Sequence, residues 1–258
     1  MKKSSLIFVA VIIAALMGCQ SNRQAKPSDL VVVEQTDTVH GTTGENNCYE
    51  MTLTIDEPVD GPQVLRDSVI AVVNTLLYEA CERNAHFDEN VVTFSKDGMF
   101  SCDSEQLLSH YVEKYKLQVQ DSLWRDYELK MKLEAQTEKF VTFGVEYLYC
   151  GASCSSEKFY YVFDKKDGHR VKEIISHENL VRFFKDHPEL AEIKADSWSG
   201  MPGWRFSPDY DFNVNNYGLL GEQFSMAINN VANHYLLTEF PYSQFSSYLS
   251  PEAQKLVE

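Results

Sequence analysis

The chain has 258 residues, 44% of them apolar and 24% charged, with 38 Asp and Glu against 23 Lys and Arg. Its 12 Gly, 8 Pro and 12% aromatic residues exclude a collagen-like or largely disordered chain, because there is ample apolar surface to bury. No apolar run reaches the roughly 18 residues that would point to a multi-span membrane protein, and a net charge of -15 opposes phosphate backbones, so nucleic acid is not an expected partner.

The first predicted element is a signal peptide over residues 1–18. Lys2 and Lys3 precede an apolar stretch, Leu6 to Met17, which has the length of a signal core and is short for a bilayer span. Leu16-Met17-Gly18-Cys19 then resembles a bacterial lipobox, which implies cleavage before Cys19 and acylation of that cysteine, palmitate included. Loss of Lys2 and Lys3 takes the net charge from -15 to -17. A multiply acylated N-terminus is a durable anchor, since each buried methylene contributes about 0.8 kcal/mol. Residues 19–47 read as the lipidated N-terminus and a mostly flexible tether, with Leu30 to Val33 able to pair with a sheet edge. Gln20, Ser21, Asn22 and Arg23 lack the acidic residues that follow the cysteine in some surface-exposed lipoproteins. That favours a lipid-anchored place in the cell envelope, at the outer membrane and facing the periplasm.

Beyond the tether the pattern is α+β. Tyr49 to Ile55 alternates as a half-buried strand, and Gly61-Pro62 opens a helix whose apolar face carries Leu65, Val69, Val72, Val73, Leu76, Leu77 and Ala80. A second helix is expected from Asp103, with Leu108, Tyr111, Val112, Tyr115 and Val119 on one side. The period then drops to two over Tyr127 to Ala135 and again over Phe140 to Tyr149, an antiparallel hairpin turned at Gln136 to Lys139. Phe159 to Phe163 continues the sheet, and Asp167-Gly168 turns into a short strand around Arg170 to Ile175. Ser176 starts a capped helix carrying Leu180, Val181, Phe183 and Phe184, and Pro188 another helical turn. Gln223 to Ile228 and Tyr235 to Glu239 read as strands, Pro241 opens a helix through Leu249, and Pro251 opens the last one. The expected architecture is antiparallel sheets with helices packed on them, in two sequential subdomains, 48–165 and 166–258.

The run Tyr147 to Cys154, followed by FYYVFDKKDGHRVKEII, and the closing block Asn216 to Leu256 resemble a bacterial extracytoplasmic family, the RsiV-like C-terminal domain preceded by a PdaC-like N-terminal domain. Its members include the extracellular part of the lysozyme-sensing anti-sigma-V factor, a non-catalytic region of a peptidoglycan deacetylase, and Bacteroidetes lipoproteins. The resemblance covers about residues 48 to 258 and implies an extracytoplasmic binding module. Where that family reads Gly-Gly-Ala-His, this chain has Cys150-Gly151-Ala152-Ser153 and then Cys154, so no role of the histidine carries over.

With Cys19 lipidated, Cys48, Cys81, Cys102, Cys150 and Cys154 are left, and at least one of them stays unpaired within a monomer. A short Gly-containing loop can bring Cys150 and Cys154 to bridging distance, and Cys81 with Cys102 is a second candidate. Reduced thiols or a redox pair are the alternatives for Cys150 and Cys154, although the pair lacks the CxxC spacing that lowers a thiol pKa. Trp198, Trp204, Phe206, Tyr210, Phe212 and Tyr217 crowd a Gly- and Asn-rich region. Trp198, Trp204, Tyr210 and Tyr217 are candidates for a glycan-binding surface, and core packing against Phe183 and Phe184 is the competing reading.

Catalytic signatures are sparse. His177-Glu178 has no second histidine at helical spacing, the other histidines are scattered, and there is neither a GxSxG elbow nor a phosphate-cradling glycine loop. Asp209, Asp211, Asn213 and Asn215 alternate like calcium ligands, but Val214 and Leu220 stand where that loop needs Gly and Glu. The expectation is a non-enzymatic protein with no catalytic residue, metal or cofactor. Its expected partners are the membrane, through the anchor, and peptidoglycan glycan or an envelope protein. A cationic muramidase such as lysozyme is the alternative ligand, and a peptidoglycan hydrolase the alternative class.

Overall fold

A computed structural model describes residues 29–43, 47–85, 126–150, 153–191, 207–208, 212–231 and 233–258. The signal peptide and the helix expected from Asp103 lie outside the described residues. Among those described, no helix is long and apolar enough to cross a membrane.

Six strands form one sheet in chain order: β1 (Val31–Thr43), β2 (Asn47–Asp60), β3 (Asp126–Gln136), β4 (Phe140–Cys150), β5 (Cys154–Asp164) and β6 (Arg170–Val171). Every neighbouring pair is antiparallel except β2 with β3, whose parallel pairing requires a crossover. Helix α1 (Gln63–Ala85) lies on that connection. Leu65, Val69, Val73 and Leu76 recur at spacings of four and three, so they share one face and are buried together. They pack with Leu53 and Ile55 of β2, Leu129 and Met131 of β3, Val141, Phe143 and Val145 of β4, and Phe163 of β5. This first core therefore takes the odd-numbered positions of the central strands, as the pleat demands.

The opposite face of β4, β5 and β6 holds a second core. Phe140, Val162 and Val171 meet α2 (His177–Asp186), a sheet of β7 (Tyr217–Leu220), β8 (Gln223–Val231) and β9 (His234–Pro241), and the closing helices α3 (Tyr242–Phe245) and α4 (Pro251–Val257). Aromatic rings dominate it: Phe224 stacks on Phe245 with centroids 3.8 Å apart, and Phe183 meets Phe245 at 4.5 Å and Phe240 at 5.1 Å. The sheets approach closely at Gly218, where a Cβ would lie 2.6 Å from the Tyr160 ring. The Thr142 hydroxyl also donates across the gap to the Leu219 carbonyl at 2.6 Å. Ser176 caps α2 by accepting from the Asn179 N–H, and Ser250 caps α4 by accepting from Ala253.

The α+β class and the antiparallel sheets with packed helices agree with the sequence. Three element boundaries differ. β1 takes residues 31–43 out of the expected tether. Its β-branched content suits a pleated edge, and Leu30, 3% exposed, is clamped by Gln136, which accepts from the Leu30 N–H at 2.7 Å and donates to its carbonyl at 3.2 Å. The strand expected to run to Ile175 stops at Val171. Beyond it the Glu173 and Ile174 carbonyls accept from the Ser250 hydroxyl and N–H, at 2.7 and 2.9 Å, instead of from β5. The helix expected from Pro241 to Leu249 divides into α3 and a 3-10 turn, Ser246–Tyr248. The boundary drawn at residue 165 falls in the turn between β5 and β6. Because β6 pairs back on β5, the second half begins inside the first sheet.

Candidate functional site

Cys150 and Cys154 are the last facing pair of the β4–β5 hairpin, with Cα atoms 4.0 Å apart, and they are joined by a disulfide. Two residues further along β5, the Ser156 N–H donates to the Asn233 carbonyl at 2.8 Å, and the Ser156 hydroxyl lies 3.2 Å from His234 Nδ1. Asn233 adopts φ 69°, the left-handed conformation that lets β8 turn into β9. The closed tip of one hairpin is thus latched to the turn of another.

Behind this tip lies a polar cluster that the sequence reading missed. Lys158 of β5 faces Glu146 of β4 and is 5% exposed. Its ammonium donates to Glu146 Oε1 at 2.9 Å and to Glu134 Oε1 at 2.5 Å. The Glu134 carboxylate lies over Gly144, where any Cβ would stand 2.1 Å from Oε1. Burial alone would push the lysine down, but hydrogen bonds to Glu134 and Glu146 overcome that and hold it well above the usual lysine range. Asn229 of β8 accepts from the Lys158 N–H at 2.8 Å and donates to its carbonyl at 3.0 Å, standing in for a neighbouring strand. The Tyr160 hydroxyl pairs with Ser225 at 2.9 Å and is pushed up to about 12 by burial. Burial also raises Tyr235, and the nearby charge of Glu146 adds to it.

This ammonium is pinned in its charged form between two carboxylates, so it serves as a fixed cation and not as a nucleophile. One signal for the cluster was present: Lys158 shares the parity of Tyr160 and Val162, the inward-facing positions of an otherwise apolar strand. On the other face of the same hairpin end, Tyr147 and Tyr149 stack at 5.9 Å, Tyr127 meets Tyr149 edge-on at 5.3 Å, and Phe159 meets Tyr147 at 5.9 Å. Tyr149 and Phe159 are half-buried.

Of the sequence candidates, Cys19, Cys102, Trp198, Trp204 and Tyr210 lie outside the described residues. Cys81 falls within α1. Tyr217 does not offer its ring to solvent: it is 1% exposed and stacks on Phe224 with centroids 5.8 Å apart, as the core reading of that aromatic region requires. Asp209 and Asp211 also lie outside. Asn213 caps the 3-10 turn Val214–Asn216, and Asn215 accepts from the Arg170 guanidinium, so these two amides serve as a cap and a hydrogen-bond acceptor.

One histidine does fall in a cluster of potential ligands. Asp164, Asp167 and His169 bring ligand atoms within 4.8 Å of one another. Their hydrogen bonds are local: Asp164 accepts from the Lys166 N–H, and the two ring nitrogens of His169 face Asp167 and Glu252. That arrangement suits an imidazolium. The hydrogen bond it donates to Asp167, then that to Glu252, raises the His169 pKa above its ordinary value of 6.5.

No protein-family profile matches the chain, and no curated protein matches it. Among solved structures it is similar to a DUF3298 family member from Bacteroides fragilis, at 11% identity and TM-score 0.55, covering 89% of this chain and 98% of that one. A DUF3298 family protein from Pseudomonas aeruginosa is similar at 12% identity and TM-score 0.51, over 88% of this chain and 98% of that one. At such identities the shared property is the fold.

Proposed function

We propose that this protein is a lipid-anchored, non-catalytic binding or sensor module of the bacterial cell envelope, acylated at Cys19. In this reading it stands at the outer membrane, faces the periplasm, and recognises cell-wall glycan or an envelope protein. The observation that carries the reading is the Cys150–Cys154 bridge at the hairpin tip, which belongs to an oxidising compartment. The lipobox-like Leu16 to Cys19 and the RsiV-like resemblance of residues 48 to 258 support it from the sequence side. Beside the tip, Tyr149 and Phe159 are half-buried over the buried Tyr147 ring, and their exposed parts are aromatic surface of the kind that sugar faces pack against. The ammonium of Lys158 fills the space between the nearest carboxylate pair, which suits a structural role better than acid and base work.

Recognition of a cationic muramidase such as lysozyme is the second reading, favoured by the -15 charge of the chain. Binding to insoluble peptidoglycan and to lysozyme, each at low and high salt, tests both. Glycan stacking is insensitive to salt, whereas an acidic surface holding a cationic protein loses affinity steeply as exposed charges are screened over about 8 Å. Binding to neither ligand at any salt would overturn both.

A further inference from the structure

A cleft of about 350 Å³ opens between the β3–β4 turn, the β5–β6 turn and α4, lined by Lys139, Lys165, Lys166 and Lys255 with Glu138 and Asp164. Four lysines in one cleft run against a chain in which acids outnumber bases by 38 to 23. Their charges are unequally spent. Lys165 is 9% exposed and is consumed as a strut, donating to Asp29 Oδ1 at 2.7 Å and to the Thr137 carbonyl at 2.9 Å. Lys139 donates to the Lys255 carbonyl at 3.1 Å, a neutral partner that leaves its charge in place. Lys166 and Lys255 are exposed and form no close ion pair among the described residues, the Lys166 charge acting on the carboxylate of Asp167 through space. Asp164 has one carboxylate oxygen engaged, accepting the Lys166 backbone N–H at 2.7 Å.

The second observation is where the chain enters the fold. Asp29 is bound to a wall of this same cleft through Lys165, and Cys19 precedes it by ten residues. Ten residues span at most about 35 Å even when fully extended. A domain acylated at Cys19 therefore keeps this cleft within reach of the bilayer surface.

We propose that the cleft is a binding site for the phosphate of anionic phospholipid headgroups, which orients the anchored domain with α4 and the β5–β6 turn toward the membrane. This rests on the anchoring proposed above. The acyl chains supply the affinity and the lysines supply the orientation. With the cleft against the lipid, the disulfide-closed tip at the far end of β4 and β5 is directed away from the surface, because the tip and the β5–β6 turn are opposite ends of one strand.

The test is amine labelling of the full acylated protein in vesicles of phosphatidylcholine alone and of phosphatidylcholine with phosphatidylglycerol at about 7:3. Mass spectrometry reads each lysine, with exposed Lys172 and Lys185 as internal controls. The expected result is that phosphatidylglycerol slows labelling of Lys139, Lys166 and Lys255 about fivefold while the controls do not change, and that about 0.5 M salt removes the difference. In a Lys166→Gln, Lys255→Gln variant, Lys139 should lose its protection while the spectroscopic fold is kept. Equal labelling in both vesicles would overturn the site. Equal protection by inorganic phosphate without vesicles would overturn the lipid assignment in favour of a soluble anion. The mass of the N-terminal peptide, read in the same spectra, separates the two premises: acylated Cys19 without protection refutes the cleft alone, whereas an unacylated N-terminus refutes the anchor and the orientation with it.

Discussion

Lys158 ties β5 to the acidic side chains of β3 and β4, while its backbone bonds to Asn229 of the second sheet. Removing it leaves Glu134 and Glu146 facing each other with no cation between them, and breaking such a pair is costly because the remaining charges lose their partner. Both carboxylates reach some solvent, which moderates the cost, so Lys158→Ala should lower stability by about 2 kcal/mol in denaturant unfolding. A change under half of that would mean the cluster is adequately solvated without its lysine. Gly218→Ala should also destabilise, by about 1 to 3 kcal/mol, because the added Cβ meets a buried Tyr160 ring that cannot swing away. His169 gives a dependence on pH. Its folded pKa is raised, so its contribution is fully present below the unfolded value near 6.5 and is lost as pH rises through the folded value. Stability measured from pH 6 upward should fall less in His169→Gln than in the parent chain, and identical profiles would remove the Asp167–His169–Glu252 link from the account. Parity along β5 marked Lys158 as inward-facing, but which carboxylates meet it depends on a register shift between Leu133 and Ala135 that no local pattern announces.

Elements with a strong period were legible and elements defined by their neighbours were not. The alternation in β3 and β4, the apolar stripe of α1 and the Ser176 cap each follow from residues a few positions apart. The length of β1 does not: Val31 to Thr43 looks like a tether until Gln136 and β2 accept it, and a short Val-rich run reads alike in a strand or a linker. β6 ends early because Ser250, some 75 residues away, takes the carbonyls that would have continued it. The disulfide was read correctly as a short bridge, and its energetic weight can be bounded. Closing so few residues removes little entropy from the unfolded chain, about 2 kcal/mol in the loop-closure account. Cys150→Ser with Cys154→Ser should therefore leave the fold intact and speed amide exchange at the hairpin tip, while peptide mapping of the parent without reduction shows the loop two daltons lighter than its reduced form. Exchange that rises throughout β4 would contradict a local role.

At the scale of the molecule the two halves share one sheet, with α1 on one face and the β7–β9 sheet and closing helices on the other. Phe183 sits where α2, β9, α3 and the 3-10 turn converge, so Phe183→Ala should cost about 3 to 5 kcal/mol and lower the stability of the whole sheet, not of the second half alone. Two sequential units were anticipated because residues 48 to 258 resemble a PdaC-like domain followed by an RsiV-like one. That Phe140 and Val162 reach into the second core was not legible, since the elements that cover that face of β4 and β5 come later in the chain. The functional account rests on where this sheet is held. Metabolic labelling with radiolabelled palmitate, followed by membrane fractionation, tests that most directly in cells expressing the protein or its Cys19→Ser variant. The account predicts a labelled protein in the membrane pellet that becomes unlabelled in the variant. Labelling that persists in Cys19→Ser, or a parent protein that takes up no palmitate, would contradict it.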